Sequence, residues 1–183
     1  MATTALFHSA QDNERPTTRS WSSARLLLVF STLPLGLFGI LHLAAEAAGM
    51  LPLFFTPFGL PAWTGAATHL LQLALIGAAY WSVTQRNASA SARLWILALG
   101  AVYMALPFIT PYLDTVQIAL TCTAVLLVAA ATMIRAGKVS PMAAWLLTPT
   151  FAVIGLSAAM GLAIAAYAPP FALLQTQNTP PAA

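Results

Sequence analysis

His42 and Glu46 stand four residues apart in one apolar run, so on a helix they share a face. His69 lies in the next apolar run with Gln72 three residues after it, and Gln117 opens a later one. An ionisable side chain within a bilayer costs about 3 kcal/mol to insert, so such a group marks a functional site by default. Imidazole and carboxylate together can bind a metal or a haem iron, hold the polar head of a hydrophobic ligand, or move a proton as acid and base. They can also pair with each other and only staple two helices. No Gly-rich phosphate loop, Ser/His/Asp arrangement, carboxylate pair or zinc spacing accompanies them, so no catalytic residues are assigned. Cys122 is the single cysteine, which excludes an intrachain disulfide and reads as a small core residue.

These groups need apolar elements around them, and the composition supplies little else. Of 183 residues, 60% are hydrophobic and 6% charged, with a mean hydropathy of +0.82. That excludes a soluble globular domain, a disordered chain and a nucleic-acid binder, and it implies the lipid bilayer as solvent. Five stretches are long enough to cross it: Leu26 to Met50, Ala62 to Val83, Leu94 to Leu113, Thr115 to Ile134 and Met142 to Ala168. The joins LPLFFTPFGLP, TQRNASASAR, TPYLD and RAGKVSP carry turn residues and most of the charge. The expectation is an all-α polytopic bundle of five transmembrane helices over residues 25–168. Residues 1–24 and 169–183 read as disordered tails. The polar, acid-containing start argues for an uncleaved first helix rather than a signal peptide.

Charge sets the orientation. Arg15, Arg19 and Arg25 precede the first span, Arg86 and Arg93 separate the second and third, and Arg135 and Lys138 separate the fourth and fifth. With five spans all seven cations fall on one face. The positive-inside rule makes that face cytoplasmic and the C-terminus external, with a bacterial inner membrane as the natural setting. His42 and His69 then both lie about 11–12 Å below the outer boundary, at about 1.5 Å per residue. Glu46 is a turn shallower, and Gln72 and Gln117 can join the group. Small residues at Gly36/Gly39, Gly155/Ala159 and Ser157/Gly161 offer helix-packing faces, for the bundle itself, a homodimer or a larger membrane complex. Pro34, Pro107 and Pro149 lie inside spans as kinks, and the five tryptophans fall near helix ends as interfacial anchors.

Five helices, frequent Trp and Pro and a longer first outer loop resemble the TspO/MBR family of tryptophan-rich sensory and translocator proteins. Pro61 and Trp63 match its Pro-x-Trp-x-Pro-Pro opening of the second helix, with Gly65 and Ala66 in place of the Pro-Pro pair. Trp145, Leu146, Leu147 and Pro149 match its Trp-Leu-Leu-x-Pro-Tyr pattern, with Thr150 in place of Tyr. The resemblance covers residues 26–168. It implies an intrabundle pocket near the outer leaflet for a hydrophobic or tetrapyrrole ligand, haem or porphyrin included. Trp63, Trp145 and Pro149 would belong to it beside His42, Glu46, His69 and Gln72. The rival readings are an assembly subunit of a membrane complex, a haem or metal protein, and a small isomerase using His42 and Glu46. His-Leu-x-x-Glu on a first helix also resembles the emopamil-binding sterol isomerases.

Overall fold

The computed structural model describes residues 17–56, 59–86 and 90–167, with side chains from residue 23 onward. The described residues form five long helices: α1 (Thr17–Ala47), α2 (Ala62–Thr84), α3 (Ala90–Ile109), α4 (Thr115–Val139) and α5 (Pro141–Ala166). A 3-10 turn at Thr110–Tyr112 extends α3, and no strand occurs among the described residues. Each helix is long and apolar enough to span a membrane, so the chain is a multi-pass membrane protein.

Helix ends follow local chemistry. α1 starts at Thr17, inside the expected N-terminal tail; residues 1–16 and the whole expected 169–183 tail lie outside the described residues. α1 stops at Ala47 because Gly49 takes φ +75 and closes a Schellman cap. In that cap the Met50 N–H donates to the Ala45 carbonyl at 2.8 Å and the Gly49 N–H to the Glu46 carbonyl at 2.9 Å. α4 is opened by a capping box: Asp114 Oδ1 accepts the Gln117 N–H at 2.8 Å, and Gln117 Oε1 accepts the Asp114 N–H at 3.1 Å. At its other end α4 runs through Arg135, Gly137 and Lys138 to Val139. The expected RAGKVSP join thus shrinks to Ser140, which caps α5, with Pro141 at its first turn.

α2, α3, α4 and α5 form a closed ring in which α2 and α4 each touch both α3 and α5. α1 lies outside this ring, packed on α2 and barely touching α3. Half of the residues in the most apolar window of α2 are buried, against 6% in that of α1. Glycines set the closest approaches, as packing without a hydrophobic drive requires. A Cβ at Gly161 would lie 3.3 Å from Ala119 Cα, and one at Gly137 would lie 3.3 Å from Ala144 Cβ, so both ends of the α4–α5 contact rest on small residues. A Cβ at Gly77 would run into the Phe30 carbonyl. Pro34 has no N–H to give that carbonyl, which is left to press against α2. Gly36 and Gly39 meet nothing within 4 Å and face away from the bundle.

Candidate functional site

A cavity of about 310 Å³ lies in the half of the ring away from the arginines, the outer half by the positive-inside rule. His69 from α2, Tyr103 and Thr110 from α3 and its turn, Cys122 from α4, and Ser157 and Gly161 from α5 contribute to its wall. The segment after Gly49 covers the outer side. Its Leu53 N–H donates to the Pro107 carbonyl at 2.7 Å. That carbonyl is open to it because Pro111, four residues on, brings no N–H of its own. The same segment crosses α2 at Gly65, where a Cβ would lie 2.6 Å from Thr56 Cγ2 and 2.8 Å from the Phe55 carbonyl oxygen. Any side chain at position 65 would lift the cover.

His69 is the most constrained polar group here, at 7% exposure. Its ring stacks on Tyr103 with centroids 4.4 Å apart and 17° between planes. Phe38 meets it at 5.1 Å and Phe54, from the cover, at 5.5 Å. This aromatic box fixes the imidazole on three sides by packing. Its Nε2 is buried and has no hydrogen-bond partner, and neither has Thr110 Oγ1 on the same cavity wall. Trp81 Nε1 and Thr150 Oγ1, away from this wall, are unpartnered among the described residues as well. Tyr103 donates its hydroxyl to Gln72 Oε1, and Ser157 donates to the Val153 carbonyl at 2.9 Å. A buried polar atom without a partner costs about 1–3 kcal/mol, so a ligand or water that reached either atom would be stabilised there.

The other expected site residues separate. His42 is half-buried, meeting Phe38 and Phe108 edge-on at 6.3 Å each, and is not in the cavity wall. Glu46 is exposed on α1. Gln72 lies behind Tyr103, holding its hydroxyl, and Gln117 is spent on the α4 cap. Trp63 and Trp145 are 70% and 76% exposed, and Pro149 is exposed as well; none of them lines the cavity. Among the described residues no three His, Cys, Asp or Glu groups converge on a common point that would suit a metal ion. The residues that sequence reasoning passed over are Tyr103, Thr110 and Phe54. Only the Pro107/Pro111 spacing hinted that the α3 end was shaped to receive a loop.

Comparison with family models, with curated proteins and with solved structures gives no match.

Proposed function

We propose that this membrane protein binds a compact apolar molecule carrying one hydrogen-bonding group, held in the outer cavity in the manner of a divergent TspO-like receptor. The observation that carries the reading is a mostly apolar hollow lined in part by His69 and Thr110, whose Nε2 and Oγ1 have no hydrogen-bond partner among the described residues. Small-molecule sites have this makeup: an apolar lining with a few fixed polar groups. About 310 Å³ is at the low end of their size range, which favours a compact ligand over a tetrapyrrole enclosed whole. His69 supplies a donor or acceptor, Thr110 its hydroxyl, and Tyr103 a flat apolar face.

Thermal unfolding of the detergent-purified protein, titrated with 1-naphthol and separately with protoporphyrin IX, tests this reading. A ligand of the folded state raises the midpoint by mass action. A saturable rise with 1-naphthol is expected, with affinity about tenfold weaker in His69→Phe, the worth of one hydrogen bond. No saturable rise, or a rise unchanged in His69→Phe, would overturn it. A saturable response to protoporphyrin IX alone, or a Soret band in the purified protein, would move the ligand class to tetrapyrroles.

A second reading, an assembly subunit of a larger membrane complex, draws support from α1. That helix leaves most of its apolar surface and both Gly36 and Gly39 uncovered. Purification from mild detergent as a monodisperse single-chain particle would argue against it.

A further inference from the structure

A second hollow, of about 430 Å³, lies between α1, α2 and α3. It exists because α1 is pinned to α2 at Gly77 while scarcely reaching α3. Phe30, Leu33 and Leu37 form one side, Leu97, Ala101 and Met104 the other, and every lining residue is apolar apart from the phenol of Tyr80. From Phe30 to Leu37 the helix rises about 10 Å, roughly two thirds of a ~15 Å leaflet. The groove lies toward the end of the bundle that carries the arginines.

One charge at its mouth stands in register with the lining. Leu97, Ala101 and Met104 continue a stripe of α3 that begins one turn earlier at Arg93. Arg93 lies about 6 Å of helix rise before Leu97, and Arg25 about 7.5 Å before Phe30. Arg86 lies in the turn just after α2. α1 and α3 both start at this end; Arg93 shares the face of Leu97 and Met104, whereas Arg25 lies about 140° round α1 from Phe30. Arg93 is half-buried and makes no hydrogen bond or ion pair with another described residue. Arg135, by contrast, covers the Trp95 ring at 4.4 Å and reaches Ser91 Oγ at 3.4 Å. Glu46 and Asp114, the two acids among the described residues, lie at the opposite end.

We infer that this groove is a binding site for an anionic phospholipid of the basic-face leaflet, one acyl chain lying between α1 and α3 and the phosphate held by Arg93. A chain-length apolar slot ending at a cation that pairs with no other described residue fits that amphiphile. Basic pockets between transmembrane helices recognise such headgroups.

Native mass spectrometry of the intact chain, released from detergent with equal amounts of dioleoyl-phosphatidylglycerol and dioleoyl-phosphatidylcholine, tests the inference. Retention of phosphatidylglycerol about tenfold over phosphatidylcholine is expected. Arg93→Gln should lower that ratio about fivefold, the worth of one cation near an anionic headgroup, while Arg93→Lys retains most of it. Arg135→Gln, which removes a cation already engaged with Trp95, should leave the ratio alone. Ala101→Phe, filling the groove from its open side, should reduce retention of both lipids. A ratio near one, a ratio unchanged by Arg93→Gln, or one lowered equally by Arg135→Gln would overturn the assignment.

Discussion

The two hollows of this protein are built from opposite materials. The outer cavity is lined by four helices and a pinned loop, is smaller, and counts His69 and Thr110 among its lining residues. The groove beside α1 is larger and apolar but for one phenol, and exists because a helix was left half-attached. Enclosure with fixed polar atoms selects a particular molecule. An apolar slot beside a cation selects by chain and charge, as lipid does. The difference originates in α1, which covers the side of the ring without entering it.

Detaching α1 should therefore separate the two hollows, and it carries the largest expected effect. Gly77→Leu forces a side chain into the Phe30 carbonyl. It should cost about 3 kcal/mol of stability by thermal unfolding, abolish lipid selectivity and leave any ligand response of the outer cavity in place. Loss of both together would mean that the ring depends on α1. Next is Ser140→Ala, at the basic end. Ser140 Oγ pairs with Ser82 Oγ at 2.6 Å and caps α5. Its removal leaves Ser82 buried without that partner and should cost about 2 kcal/mol in the same assay. Val153→Phe, placed on the outer cavity wall, should remove the 1-naphthol response while changing the unliganded midpoint by less than about 1.5 kcal/mol. The smallest effect is expected at Glu46→Gln: exposed and unlinked to the cavity, it should change ligand affinity by less than about twofold.

The five spans were legible because each is a long apolar run, and because two spans between successive basic segments put all seven cations on one face. Their ends were less so. RAGKVSP reads as a loop, yet Arg, Ala and Lys are good helix formers, and one Ser-Pro step suffices to stop α4 and start α5. In the site, His69 was visible as an isolated polar residue among apolar ones, and the structure puts it in the cavity wall. Glu46 drew attention as the sole acid within a span. The inward stripe of α1, through Pro34, Phe38 and Ala45, is narrow because the helix has one main neighbour. At about 100° per residue His42 lies roughly 40° from Phe38, at the edge of that stripe, and Glu46 roughly 80°, beyond it. Sharing a face with His42 did not bring it inward. Tyr103 and Thr110 were hidden because an aromatic in a span and a threonine before a Pro-Tyr turn look like packing and punctuation. Their role depends on which neighbours leave Nε2 and Oγ1 unmatched, and that is a property of three helices at once.

His69→Phe probes the outer cavity most directly, because it removes the orphaned nitrogen while preserving an aromatic ring against Tyr103. Thermal unfolding should be measured with and without saturating 1-naphthol. The unliganded variant should be as stable as the parent or more stable by about 1 kcal/mol, since an unpaired buried polar atom has gone, and its stabilisation by 1-naphthol should fall. A variant that loses about 2 kcal/mol unliganded and keeps the full 1-naphthol response would show that His69 serves the fold and not a ligand.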